Sequence, residues 1–147
     1  MYKRILVATD GSKLSKKAVN AAIGLAAACG ATLVALKVSP RYSQNYFEGG
    51  TVVPVADVDR IEGQWAQDAQ AIVDDVKKAA AAKGVSAKAI VVKGDVVSDA
   101  LLSAANKHKC DLIVMASHGR RGIKRLLLGS ETQHVLTHAE IPVLVLK

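Results

Sequence analysis

Short apolar runs alternate with longer amphipathic stretches along most of this chain. Each apolar run is rich in Val, Leu or Ile, a pattern typical of strands that are buried on both faces of a parallel sheet. The pattern predicts five strands, at residues 2–9, 31–38, 85–93, 111–116 and 141–147.

The amphipathic stretches between these runs predict four helices, at about residues 13–29, 56–83, 97–108 and 130–137. Ser12 precedes the first helix and is a good N-cap residue, and Gly30 follows it as a typical helix stop. Residues 39–55 hold two prolines and a Gly-Gly pair, and we interpret them as a long loop.

Strands that alternate with helices predict an α/β fold, in which a parallel sheet carries helices on both faces. The chain of 147 residues suits one domain spanning 1–147. Half of its residues are apolar, which is enough for a core without disulfides or metals.

Cys29 and Cys110 stand far apart, without the spacing of metal ligands, and we interpret them as reduced core residues. The first residues lack the apolar segment of a secretion signal, and no run reaches the roughly 18 apolar residues of a membrane span. We therefore expect a soluble, cytoplasmic protein. Its net charge of +7 is mostly spread along amphipathic segments, but residues 120–125, RRGIKR, concentrate it.

The segment MASHGRRGIKRLLLGSET, residues 115–132, joins the fourth predicted strand to the last predicted helix. Ligands of open parallel sheets bind beyond the carboxyl ends of the strands, where this segment begins. Its three glycines can adopt positive φ, and the helix that starts near Ser130 offers free N–H groups and a positive dipole end. Together with the basic residues, these features predict a polyphosphate site.

Each feature also has a simpler interpretation. The glycines can serve only to make a turn, and the basic residues can be solvated. Ser130 with Gln133 fits a capping box, S-x-x-Q, which would use the same N–H groups within the helix. The spacing is not that of a Walker A motif, a dinucleotide fingerprint or a nucleophile elbow.

Four parts of the sequence carry a resemblance to a known family. They are the opening ILVATDGS, the Gly94-Asp95 turn, SHG followed by nine residues and GS, and the closing IPVLVLK. Across essentially the whole chain, the sequence resembles the universal stress protein family. The resemblance implies a flavodoxin-like or Rossmann-like fold with five strands in the order 3-2-1-4-5, so that strands one and four are neighbours at the switch point.

The ATP-binding branch of that family has the motif G-x2-G-x9-G-[S/T]. Gly119, Gly129 and Ser130 match it, whereas Ala116 stands at the first glycine. If the backbone there needs positive φ or the closest approach to ribose, alanine is unfavourable; at negative φ it costs little.

The resemblance implies ATP as the cofactor, with Mg²⁺ or Mn²⁺, and a set of contacts for it. Asp10 would contact ribose or the metal-phosphate region, although the residue can also be only a turn or cap before Gly11-Ser12. The resemblance also implies that the backbone near Ala8 and Thr9 flanks the nucleotide, that Val38 holds adenine through its backbone, and that Met115 and Ala116 line the ribose side. The phosphate contacts that it implies are Gly119, Gly129, Ser130 and Thr132.

Four further residues complete the candidate cofactor-binding set. Arg120 and Arg121 enter it on charge and position, and Glu131 is also included. His118 can donate to a phosphate or lie free in solvent.

Two other constellations are weaker. Glu131, His134 and His138 have a spacing that can bind zinc, but no further ligand is evident and we assign no metal site to the protein's own residues. No base stands beside Ser130, so we expect a binding protein and not an enzyme, with at most slow ATP hydrolysis through bound metal and water.

The last predicted strand contains PVLVL, residues 142–146, and would be an aggregation hazard at a sheet edge unless something covers it. The resemblance implies that the same strand of a second chain covers it, in a homodimer. We expect an ATP-binding stress sensor or switch. The alternative is a nucleotide-free dimer that acts through contacts with an unknown protein partner. Nucleic acid is not an expected partner, since the basic loop lacks an aromatic stacking platform.

Overall fold

The computed structural model describes residues 1–42, 54–119 and 128–147. Strands and helices alternate throughout these ranges. The strands are β1 (Arg4–Ala8), β2 (Thr32–Ser39), β3 (Ala87–Lys93), β4 (Leu112–Ala116) and β5 (Val143–Leu146). The helices are α1 (Lys13–Cys29), α2 (Val55–Ala82), α3 (Val97–Lys107) and α4 (Ser130–His138).

The five strands form one parallel sheet in the order β3-β2-β1-β4-β5. The predicted fold class and strand order are therefore confirmed. The buried β1 lies at the centre, with β2 on one side and β4 on the other. Strand order reverses between β1 and β4, so the carboxyl ends of these two strands bound the cleft in which such sheets hold ligands.

Alternate strand residues face two separate hydrophobic cores, as the two-residue period of a strand requires. On one face, Ile5, Val7 and Leu33 pack with residues of α1 and α2. On the other face, Leu6 and Val34 pack with residues of α3 and α4. The predicted placement of helices on both faces is confirmed.

The ends of α1 follow the predicted signals. The Ser12 hydroxyl accepts a hydrogen bond from the Ser15 N–H, and Gly30 ends the helix in the left-handed conformation at φ 66°. Gly30 suits that position because it has no Cβ to clash.

The predicted long loop differs from the structure at both ends. β2 continues to Ser39, where its carbonyl accepts a hydrogen bond from the Gly94 N–H. α2 begins at Val55, and residues 43–53 lie outside the described residues. The Glu62 carboxylate of α2 accepts hydrogen bonds from the Tyr42 N–H and the Lys93 ammonium, both at 2.8 Å, which ties the exit of β2 to this helix.

Both cysteines are free thiols that pack against the cores. Burial raises the pKa of the Cys110 thiol to about 11, so this group is a neutral core residue at physiological pH. None of the described helices combines the length and the apolar character that crossing a membrane requires.

Candidate functional site

The turn after β1 is held by Asp10 and Thr9. The Asp10 Oδ1 accepts a hydrogen bond from the Ser12 N–H at 2.9 Å, and the Thr9 Oγ1 accepts one from the Gly11 N–H at 3.2 Å. Gly11 has φ 79°, which a glycine adopts without strain. The turn therefore presents the start of α1 and the Asp10 carboxylate at the carboxyl edge of the sheet.

The second oxygen of Asp10 faces the loop after β4. A Cβ added to Gly119 would lie 3.1 Å from the Asp10 Oδ2, which shows how closely the carboxylate approaches this backbone. The loops that follow β1 and β4 therefore meet in the cleft at the switch point.

The two ends of the loop after β4 lie in contact with each other. The Gly129 N–H donates to the Ser117 carbonyl at 2.8 Å. A Cβ on Gly129 would lie 3.3 Å from both the His118 Cα and the Ser117 carbonyl oxygen. Glycine at 129 therefore lets the two ends of the loop pack against each other.

The conformational role predicted for the loop glycines is wrong where the structure tests it. Gly129 has φ −59°, and Gly119 is not among the described glycines with positive φ. Both are needed for space rather than for a left-handed backbone. Gly122 lies outside the described residues.

The alternative in which Ser130 and Gln133 form a capping box is wrong. Gly129 is the N-cap residue and Ser130 is the first residue of the helix, so the Ser130 side chain is one position too late to cap it. No side chain of the described residues caps α4, and the Gln133 amide instead donates to the Leu128 carbonyl at 3.1 Å. Ser130 is exposed, and the start of α4 carries the positive end of the helix dipole.

Ala116 and Thr132 fix the position of that helix start. The buried Thr132 hydroxyl donates to the Ala116 carbonyl at 3.0 Å, which attaches the first turn of α4 to the end of β4. Thr132 is a predicted phosphate contact, but in the structure its hydroxyl donates its hydrogen bond to the protein backbone. Ala116 does not have positive φ, so its methyl group adds no backbone strain.

The other predicted contacts line the same edge. Ala8 ends β1, and Met115 and Ala116 end β4 in register with β5. Val38 lies two positions beyond Leu36, the register partner of Ala8. His118 is half-buried, and its Nδ1 lies 3.2 Å from the Ser117 hydroxyl oxygen.

The sequence and the fold both match known proteins. A family model for the universal stress protein family matches residues 1–147. Universal stress protein YxiE of Bacillus subtilis is 33% identical over 149 residues, covering 100% of each chain.

The chain belongs to the universal stress protein family.

Two solved structures extend the comparison to three dimensions. Protein MJ0577 of Methanocaldococcus jannaschii has a TM-score of 0.84 and 26% identity, over 100% of this chain and 96% of that one. A universal stress protein in complex with cAMP has a TM-score of 0.73 and 31% identity, over 99% and 97% of the two chains.

Glu131 of this universal stress protein is turned toward the neighbouring helix. Its carboxylate accepts a hydrogen bond from the Ser98 N–H at 2.5 Å, in the first turn of α3. The His134 Nε2 lies 3.1 Å from the Asp99 carboxylate in the same turn. Two side chains of α4 therefore tie α4 to α3, an arrangement that no sequence motif indicated.

These contacts also bear on the zinc alternative. The His138 Nδ1 lies 2.9 Å from the His134 carbonyl, and the two imidazole rings stack with centroids 4.1 Å apart. Within 1–42, 54–119 and 128–147, no three His, Cys, Asp or Glu side chains form a group that could hold a metal ion.

Sequence reasoning missed Lys37, a polar interruption of the apolar run ATLVALKV. Its ammonium donates to the Val38 carbonyl at 2.9 Å, so one backbone group of the residue expected to hold adenine already accepts a hydrogen bond. Arg120 and Arg121 of this stress protein lie outside the described residues.

Proposed function

We propose that this universal stress protein binds ATP with a divalent cation between the carboxyl ends of β1 and β4, and that it works as a nucleotide-dependent switch in a stress response. The observation that carries the proposal is the approach of the Asp10 Oδ2 to Gly119, beside the start of α4, which no described side chain caps. A carboxylate and a helix N-terminus then flank one cleft.

The phosphates fit the start of α4. A helix N-terminus attracts anions through its N–H groups and its dipole. Gly129 presents no side chain there, Ser130 is exposed, and Thr132 fixes the helix to β4. Among the described residues, no side-chain cap would have to be displaced for an anion to bind.

The cation fits the opposite wall of the cleft. Mg²⁺ usually keeps several waters and binds through one or two carboxylates together with substrate phosphates. Asp10 can supply one carboxylate oxygen, and the nucleotide phosphates and water would supply the other ligands. A dedicated cluster of three protein ligands is not required for this mode of binding. We propose binding without efficient hydrolysis, in keeping with the expected absence of a catalytic base beside Ser130.

We also propose a homodimer through residues 142–146. β5 lies at the edge of the described sheet, and edge strands require cover. Leu144 of β5 is 40% exposed and Leu136 of α4 is 42% exposed. A second copy of the chain would bury these apolar side chains and extend the sheet.

The alternative is a nucleotide-free dimer that acts through protein contacts, and the alanine at position 116 favours it. Because Ala116 lacks positive φ, only its methyl group could hinder a nucleotide, through lost space beside ribose. The apolar surface of Leu136 and Leu144 would serve this function equally well.

Titration calorimetry tests the proposal. Folded protein freed of co-purified nucleotide should bind one Mg-ATP per chain, with weaker binding for ADP and weaker still for AMP, because each lost phosphate removes contacts at α4. An absence of heat at millimolar Mg-ATP would overturn the proposal in favour of the nucleotide-free alternative.

A further inference from the structure

A second pocket opens at the amino edge of the sheet, opposite the proposed nucleotide site. It has a volume of about 330 Å³ and lies where β1, β2 and β3 begin, beside the residue that follows α3. This volume falls within the range of about 300–1,000 Å³ that is usual for small-ligand sites. Its basic lining residues are Arg4, Lys88 and His108.

The basic side chains come from three separate elements on one face of the sheet. Arg4 and Lys88 stand at even positions of β1 and β3, whose even-numbered residues face α3 and α4. The Arg4 guanidinium donates to the His108 carbonyl at 2.7 Å, which fixes its position and leaves further N–H groups for a ligand.

No carboxylate of the described residues forms an ion pair with Arg4, Lys88 or Lys107. The nearby Asp111 accepts hydrogen bonds from the N–H groups of Lys3 and Arg4, at 2.8 and 3.0 Å. Its carboxylate is therefore used by the backbone at the start of β1.

The positive charges around the pocket also affect the pKa of His108. Its pKa is lowered first by burial and then by the charges of Lys88, Lys107 and Arg4. The opposing negative charges are the nearby Asp111 carboxylate and about half an elementary charge at the carboxyl end of α3. The three cations together outweigh both, so an anion entering the pocket would meet net positive charge.

We propose that this amino-edge pocket binds a small dianion, namely a phosphate group, free or as the monoester of a small molecule. Two negative charges match the fixed Arg4 guanidinium and the Lys88 ammonium. The exposed Ser86 and Thr32 complete the polar rim of the pocket.

Histidine NMR titrations test this pocket separately from the nucleotide site. Inorganic phosphate and phenyl phosphate are the probes, with sodium chloride at matched ionic strength as the reference. A bound dianion stabilises the imidazolium form, so either probe should raise the pKa of His108 above its value in chloride. A rise with phenyl phosphate alone would assign the pocket to monoesters.

Lys88→Gln should weaken phosphate binding about tenfold or more, because a charge-assisted hydrogen bond is lost. Lys78→Gln is the matched control, since Lys78 is an exposed lysine on α2, which packs on the other face. Equal affinity in wild type and Lys88→Gln, or no His108 response beyond that in chloride, overturns the proposal. Neither result affects nucleotide binding at the opposite edge.

Discussion

Asp10 connects the two loops that form the candidate site. One carboxylate oxygen holds the turn after β1 through the Ser12 N–H, and the other faces Gly119. The sequence offered a turn role and a ligand role for Asp10 as alternatives. The structure confirms the turn role through the Ser12 N–H, and the ligand role stays a prediction.

Asp10→Asn separates these two roles. The amide oxygen can still accept from the Ser12 N–H, so thermal stability should change little. The loss of charge should weaken Mg-ATP binding about tenfold or more, with a smaller effect on metal-free AMP. Calorimetry on both nucleotides measures this difference. Equal losses for the two would assign Asp10 to ribose and contradict the proposed metal contact.

Two glycines, one with close neighbours and one without, provide the next test. Gly129→Ala places a Cβ 3.3 Å from the His118 Cα, and such overpacking typically costs about 1–3 kcal/mol. Gly24→Ala is the control, since Gly24 lies in α1 with nothing within 4 Å of an added Cβ. It should stabilise the protein by about 0.5–1 kcal/mol. Urea unfolding measures both, and a neutral or stabilising Gly129→Ala would refute the close packing of the loop ends.

At the scale of elements, hydrophobic period and helix signals predicted every described strand and helix to within a few residues. Ser12 and Gly30 are strong local signals, and α1 begins after Ser12 and ends at Gly30 as expected. The predicted start of α4 near Ser130 is confirmed, but the sequence could not decide its cap, because Gly129 and Ser130 are both acceptable N-cap residues; the glycine that caps the helix also donates its N–H to the Ser117 carbonyl. The tie between α3 and α4 could not be predicted, because it joins residues 33 positions apart.

Glu131→Ala tests that tie. Without the carboxylate, the Ser98 N–H in the first turn of α3 loses its partner, and a lost helix cap usually costs about 1 kcal/mol. Urea unfolding should show this loss. Glu140→Ala, which removes an exposed carboxylate near the end of α4, should leave stability unchanged. Identical stability of the two variants would show that the Glu131 contact contributes nothing.

At the scale of the whole molecule, the fold separates two edges of one sheet. Those residues of the predicted nucleotide site that the structure describes lie at the carboxyl edge, and the strand order that the family resemblance implied brings them together. The basic pocket at the amino edge escaped prediction, because Arg4, Lys88 and His108 are scattered along the chain. Each lysine or arginine by itself resembled a solvated residue.

The proposed dimer is also a property of the whole molecule. Leu144→Lys should convert dimers into monomers, because an ammonium would be buried against the second chain. Val97→Lys is the control, since Val97 is 41% exposed and lies at the start of α3, away from β5. Sedimentation velocity measures the mass of each. A dimer that survives Leu144→Lys would contradict the proposed interface.

The most direct test of the proposed site is a titration of ¹⁵N-labelled protein with Mg-ATP, followed by amide NMR. We predict saturable shifts at the amides of Asp10, Gly119, Gly129 and Ser130, with little change at the amino edge around Lys88. An absence of saturable shifts, or shifts centred away from the carboxyl ends of β1 and β4, would contradict the account.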